Sequence, residues 1–184
     1  YMDYNRTTRV LTDDKNLLYD LKKFESVGGE FALNFGWFNF QSEYMRGFAT
    51  PASTNYKKTS DLSSYYTQLT FMLTGETTKY RNGCFTGINV ASPVNEGGLG
   101  AFEFALRFAK TDLEDKRSNI VFDYGKYDEY SVAFSWYPTN FFKTTIHYSW
   151  IEEEFKDSFA LLANGNKKNN KYGVLSLKNK VFFF

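Results

Sequence analysis

The sequence predicts an all-β protein, an antiparallel transmembrane β-barrel of which this chain supplies about 7–8 strands. Three observations support this fold class. The composition is unusually rich in aromatic residues for a chain with negative mean hydropathy. Large apolar and polar residues alternate in repeated runs, which is the period of a strand with two different faces. The connectors between these runs alternate between short and long.

The composition agrees with a barrel and argues against several other classes. Aromatic residues make up 20% of the chain, with 20 Phe and 14 Tyr but only 3 Pro, at a mean hydropathy of −0.47. In a barrel, alternate residues face lipid and water, and rings collect at the membrane interfaces. No apolar run is long enough for a spanning helix. The net charge of +1 predicts no nucleic-acid partner, since that needs a clustered basic surface.

The chain begins at Tyr1, with neither an initiator Met nor a charged segment followed by an apolar run. We therefore expect a mature product or a fragment of a longer protein. The single Cys84 cannot form an internal disulfide, and we interpret it as an ordinary connector residue.

Seven runs follow the period of two, and each predicts a strand. The clearest sets Phe102, Phe104, Leu106 and Phe108 against Glu103, Ala105, Arg107 and Ala109. An eighth strand is expected around residues 2–10, where the pattern is weak. The seven runs span residues 27–35, 38–48, 65–73, 101–109, 130–137, 142–150 and 172–184.

The connectors predict an orientation. Short links are expected at 36–37 and 138–140, and long polar links at 49–64, 110–126 and 152–171. Bacterial barrels have short periplasmic turns and long outer loops, so the long links are expected at the cell surface. The long 75–100 connector disagrees with this parity, and we expect either a loop folded into the barrel or an additional hairpin there.

Several short sequence motifs resemble motifs of the phosphate-selective porin O/P family of outer-membrane proteins. They are Gly29-Glu30-Phe31-Ala32 before Gly36-Trp37-Phe38, Gln41-Ser42-Glu43-Tyr44-Met45-Arg46, the stretch 65–68 running into Leu73-Thr74-Gly75-Glu76, the stretch 100–108, and the terminal Phe184. The most specific are Glu43-Tyr44-Met45-Arg46 and the 100–108 strand. The resemblance covers roughly residues 24–184.

The resemblance implies the C-terminal part of a trimeric porin with about sixteen strands in the bacterial outer membrane. It implies passive diffusion of small hydrophilic solutes, with anions such as phosphate among them, and no enzymatic activity or cofactor. The implied partners are outer-membrane lipid, lipopolysaccharide, small ionic solutes and two further copies in a homotrimer. The resemblance assigns no phosphate-binding residues in this sequence, because no arginine ladder or lysine cluster here matches that of the family residue by residue.

The candidate pore-lining residues lie opposite the large rings of their strands. A charge facing lipid at the membrane midplane costs about 2–4 kcal/mol, so these charges are expected to face water. Both signs are represented, which predicts a mixed lining. The candidates are Arg107, Lys143, His147, Lys178, Glu30, Glu43 and Glu103.

Two positions depart from the face assignment. Arg46 shares the face of Tyr44 and Phe48, which suggests a bulge or a position above the membrane. Phe182 and Phe184 share the face of Lys178 and Lys180, although the resemblance leads us to expect the terminal Phe against lipid. No catalytic constellation and no metal site is predicted. The acidic stretches 112–115 and 152–154 are interpreted as solvated charge instead of cation sites.

Two alternative functions remain open at this point. The first is a small eight-stranded outer-membrane anchor, since about eight strands enclose only their own side chains. The second is a soluble ligand-binding barrel of the lipocalin type, with an apolar interior and a polar exterior. Alternation alone does not say which face is inside.

Overall fold

The computed structural model describes residues 21–51, 59–81, 84–114, 123–156 and 167–182. Within these ranges the chain forms nine strands and one short 3-10 turn at Val94–Glu96. The strands are β1 Leu21–Phe35, β2 Phe38–Pro51, β3 Ser60–Met72, β4 Thr78–Arg81, β5 Cys84–Ile88, β6 Ala101–Glu114, β7 Asp123–Thr139, β8 Phe142–Lys156 and β9 Lys167–Val181. No helix in the described ranges is long and apolar enough to cross a membrane.

Seven of the strands form one antiparallel sheet in the order β1-β2-β3-β6-β7-β8-β9. Each strand pairs with its neighbour along the chain, apart from the separate β4–β5 hairpin between β3 and β6. The all-β antiparallel fold class is therefore confirmed. In the described residues β1 and β9 form the two edges, so this sheet is open. The expected strand at 2–10 lies outside the described residues.

The first short connector was predicted correctly and the second was displaced. Gly36 and Trp37 form the β1–β2 turn, with Gly36 at a φ of 61°, a value that favours glycine. The predicted turn at 138–140 instead occupies Asn140 and Phe141. A register shift between Trp136 and Thr139 accommodates Pro138, which has no N–H to donate to the ladder. The bulge therefore lets β7 continue past the proline.

The strands run beyond their predicted ends on the side of the long connectors. β6 continues to Glu114 instead of ending at Ala109, and β7 begins at Asp123 instead of Tyr130. The ladder between β6 and β7 continues through this region, and along it Lys110 lies 3.1 Å from Asp128 and Lys126 lies 2.8 Å from Asp112. The long connectors are shorter than predicted, because apolar alternation marks only part of each strand.

The sheet has two chemically different faces. One carries a row of large apolar residues aligned by the strand register, and we call it the ring face. The opposite face, which we call the polar face, carries small and polar residues. The aligned row contains Phe35, Phe38, Phe71, Phe104, Phe134, Ile146 and Leu177.

Burial is the reverse of that in a soluble sheet. On the ring face Phe134 remains 43% exposed, whereas on the polar face Ser135 is 1%, Arg107 8% and Glu103 9% exposed. Soluble proteins bury large apolar side chains and keep charges in water. The ring face therefore needs an apolar surrounding that the chain itself does not supply.

The 75–100 connector combines the two alternatives expected for it, an additional hairpin and a segment that folds inward. It forms the β4–β5 hairpin and folds back onto the polar face near the short turns, where Thr78 accepts hydrogen bonds from Asn34 and Asn39. Ile88 and Val90 are buried in a cluster with Met72, Ala101 and Tyr137. A long connector at the short-turn end is thus consistent with the topology, because it folds inward.

Candidate functional site

All seven candidate residues lie on the polar face. Cross-strand partners share a face and residues two apart along a strand share it as well, so the register fixes each position. The structure divides them into three groups at different heights along the strands. The groups are the Glu103–Lys143 pair with Lys178, the Arg107 and His147 positions, and the Glu30–Glu43 pair.

Glu103 is the centre of a buried polar cluster near the short turns. Its Oε1 accepts a hydrogen bond from Lys143 Nζ at 2.8 Å, and its Oε2 accepts one from the Tyr137 hydroxyl at 2.7 Å. Ser135 donates a third at 3.1 Å. The carboxylate offsets the charge of Lys143, so the two residues form a neutral pair on this face.

Lys178 and Lys180 lie on β9 beside that cluster. In the register Lys178 is opposite Thr145, and Lys180 is opposite Lys143. Both side chains are exposed, and within the described part of the chain neither is ion-paired. The Lys180 ammonium lies 4.8 Å from the centre of the Phe182 ring. Phe182 therefore contacts a lysine of the polar face, as the sequence pattern indicated.

Arg107 is held by a ring and an amide. Its guanidinium carbon lies 3.7 Å from the centre of the Tyr66 ring, and its Nη1 donates to Gln68 Oε1 at 3.1 Å. Both partners are on β3, the neighbouring strand. A planar guanidinium stacks on a ring in a way that an ammonium cannot, so the site is suited to arginine.

His147 belongs to a chain of serine hydroxyls. Its two ring nitrogens lie 3.2 Å from Ser149 Oγ and 3.3 Å from Ser176 Oγ. Ser149 and Ser131 both donate to Glu129 Oε1, at 2.8 and 2.7 Å. In the described residues no group of His, Cys, Asp and Glu is placed to hold a metal ion. Both ring nitrogens of His147 have a serine hydroxyl as neighbour.

Glu30 and Glu43 are direct cross-strand partners. Like charges in this position repel each other, which is tolerated where water surrounds them. Gln41 Nε2 donates to Glu30 Oε1 at 2.7 Å. The same register row continues through Tyr66 and Ala109 to Glu129, so three carboxylates share one height on the sheet.

A family model described as phosphate-selective porin O and P matches residues 4–159. The chain belongs to the phosphate-selective porin O and P family. An uncharacterized protein of Caulobacter vibrioides is 31% identical over 87 residues, which cover 47% of this chain and 17% of that protein. The match thus takes in only a small part of the relative. Membership in this porin family implies the bacterial outer membrane, and the exposed ring face agrees with a lipid environment.

The ends of the porin strands carry ion pairs on the ring face, beyond the apolar rows. Besides the two ion pairs between β6 and β7, Lys171 Nζ lies 2.8 Å from Glu152 Oε1 and Arg46 Nε donates to Asp61 at 2.7 Å. The hydrogen bond that Lys126 donates to Asp112 raises the pKa of Lys126, and the one that Glu152 accepts from Lys171 lowers the pKa of Glu152. Asp112 and Glu152, one residue from each acidic stretch, are thus each paired with a lysine.

The bulge suggested for Arg46 is wrong. Its strand pairs regularly with both neighbours from Phe38 to Ala49, with Arg46 opposite Val27 and Ser63. The alternative, a position above the apolar rows, agrees with its ion pair with Asp61. Water and a nearby carboxylate make a charge on the ring face acceptable there.

Sequence reasoning missed Glu129 and Glu153. Both lie on the polar face of the porin sheet, Glu129 in the carboxylate row and Glu153 one row further toward the long connectors. They were missed because the strands containing them were predicted to begin at Tyr130 and to end at Trp150. Extending the alternation of Ser131, Ala133 and Ser135 by one step would have included Glu129.

Proposed function

We propose that this chain forms part of the wall of an outer-membrane porin whose polar face lines a water-filled path for passive diffusion of small hydrophilic solutes. The observation that carries the proposal is the reversed burial of the sheet. Large rings are exposed on one face, while Glu103 and Arg107 are buried on the other. In a bilayer an unpaired strand edge is costly, so a spanning sheet must close.

The proposal includes a specific arrangement in the membrane. The seven candidate residues face the water-filled path, the ring face contacts lipid, and the outer ion pairs meet the lipopolysaccharide headgroups. A water-filled path requires further strands, because a closed barrel of about eight strands has no aqueous channel, whereas one of about sixteen to eighteen strands has one. We infer that this chain is the C-terminal part of such a barrel. We also infer that three copies form a homotrimer, as the resemblance to the porin family implies.

The transported solutes are proposed to be small ions, among them anions such as phosphate, and the protein is proposed to have no enzymatic role. The family description supports an anion. The polar face has carboxylates as well as basic residues, so selectivity depends on where each charge lies. Lipocalin-like binding is disfavoured because the apolar face is the exposed one.

Planar-bilayer recording on the full-length protein containing this chain tests the proposal. We expect stable unitary conductance from detergent-purified protein and detergent dependence of its solubility, because the ring face needs an apolar solvent. An eight-stranded anchor would insert without conducting. A protein that stays monodisperse without detergent and gives no conductance would contradict both membrane functions.

A further inference from the structure

The charges of the polar face are sorted by height along the strands. Glu30, Glu43 and Glu129 share one register row, on the side of the long connectors. Lys178 and Lys180 lie in the two rows nearest the short turns. Ser135 on β7 is in the row of Lys178, because Ser135 pairs with Thr145 and Thr145 pairs with Lys178. Ser135 is six steps along β7 from Glu129, which is about 20 Å along the strand at about 3.4 Å per step.

The other charges on this face do not cancel the separation. Glu103 and Lys143 neutralise each other within the lower level, at 2.8 Å. Glu153 adds a carboxylate one row above the upper level, and Lys168, opposite Phe155 in the next row, adds a lysine. Arg107 lies one row below the upper level. The four carboxylates of this end outnumber its two basic residues. The 75–100 segment, which folds against the lower level, carries two acidic and two basic residues, Glu76, Glu96, Lys79 and Arg81. The upper level is therefore net negative and the lower level net positive.

We propose that this face is an axially bipolar lining, which makes the pore conduct more current at one polarity than at the other. The inference rests on the proposed porin function and goes beyond it. Fixed charges on a pore wall concentrate their counter-ions. At the polarity that drives cations in through the carboxylate level, anions enter through the ammonium level, and both accumulate between them. The opposite polarity depletes the same region.

The separation of the two levels is suited to this effect. Screening lengths are about 10 Å at 0.1 M salt and about 3 Å at 1 M. At 0.1 M the field of each level reaches about halfway to the other, so the levels act as distinct but adjoining zones. At 1 M the wall charges are screened, and the asymmetry should disappear.

Single insertions of the full-length protein in symmetric KCl test the inference, since one inserted molecule keeps one orientation. At 0.1 M we expect currents at opposite polarities to differ on the order of two-fold, and at 1 M to be equal. The combined Glu30→Gln, Glu43→Gln and Glu129→Gln variant should conduct symmetrically at 0.1 M. The matched control changes the same number of acidic residues on the ring face, by Glu25→Gln, Asp128→Asn and Glu152→Gln, and should keep the asymmetry.

The outcomes separate this inference from the function on which it rests. Conductance that is symmetric at 0.1 M in the unaltered protein would overturn the bipolar lining and leave the porin function intact. Asymmetry that persists in the triple Gln variant would overturn it as well, because the carboxylate level would not be its source. Absence of conductance in every variant would overturn the porin function and the inference with it.

Discussion

Lys143 on β8 and Glu103 on β6 form an ion pair across the intervening strand β7, with Nζ and Oε1 2.8 Å apart. The pair makes opposite predictions for its two members. Lys143→Gln leaves a carboxylate and should shift the ion preference of the full-length porin toward cations. Glu103→Gln leaves an ammonium and should shift it toward anions. Reversal potentials in a salt gradient would measure both shifts, which should shrink at high salt. Equal and unchanged potentials in the two variants would show that the pair lies off the conducting path.

Two substitutions at Arg107 are expected to separate the effect of its charge on ion preference from the effect of its stacking on stability. Arg107→Lys keeps the charge but loses the stacked guanidinium 3.7 Å from the Tyr66 ring centre. It should preserve the reversal potential and lower the free energy of unfolding by about 1 kcal/mol. Arg107→Gln should change both quantities. Urea unfolding followed by tryptophan fluorescence gives the stability. A Lys variant as stable as the unaltered protein would argue against the stacking interaction.

Gly100 is expected to be the less replaceable of two glycines with positive φ. A Cβ at Gly100, at a φ of 79°, would collide with the carbonyl oxygen of Tyr137, whereas a Cβ at Gly75, at 87°, would meet nothing within 4 Å. Gly75→Ala should therefore cost only the left-handed conformation, about 1–2 kcal/mol. Gly100→Ala should cost more, because the 75–100 segment must also shift. Equal unfolding midpoints for the two variants would refute the close approach.

The orientation of the sheet gives a further prediction. Lys167 and Lys168 begin β9 at the long-connector end, and Asn140 lies in the turn at the other end. An impermeant amine reagent applied to whole cells should modify Lys167 and Lys168. Protease should reach the region of Asn140 only after the outer membrane is permeabilised. Protection of 164–171 together with cleavage near Asn140 in intact cells would reverse the orientation.

The sequence predicted the middle of each strand better than its ends. Alternation is visible where the ring face is apolar throughout, as at Phe102, Phe104 and Leu106. Beyond the apolar rows, Lys110 and Asp128 pair on the ring face, and charged residues on both faces remove the pattern. No local rule distinguishes such a strand from a polar loop, which is why the outer ends were missed.

The candidate site was predicted at the level of faces and not at the level of contacts. Alternation alone placed Arg107 and Lys143 opposite the rings. Their partners depend on register, since Gln68 is 39 residues from Arg107 and Glu103 is 40 residues from Lys143. A shift of one residue in β6 would exchange every contact, and the sequence does not reveal such shifts. The bulge at Pro138 is such a register shift, and the sequence pattern did not predict it.

The order of the strands bears on how the sheet assembles. Every pairing in β1–β3 and in β6–β9 joins neighbours along the chain, so each meander can form from successive hairpins with little loss of loop entropy. The β3–β6 pairing alone must enclose the 75–100 segment, and loop closure becomes costlier with length. We therefore expect two cooperative units that form separately and then join.

Tryptophan fluorescence can follow the two units separately. Trp37 reports on the first, and Trp136 and Trp150 report on the second. Stopped-flow refolding into detergent, with Trp37→Phe compared with the Trp136→Phe and Trp150→Phe double variant, should resolve two fluorescence phases. A single phase common to both variants would indicate one unit.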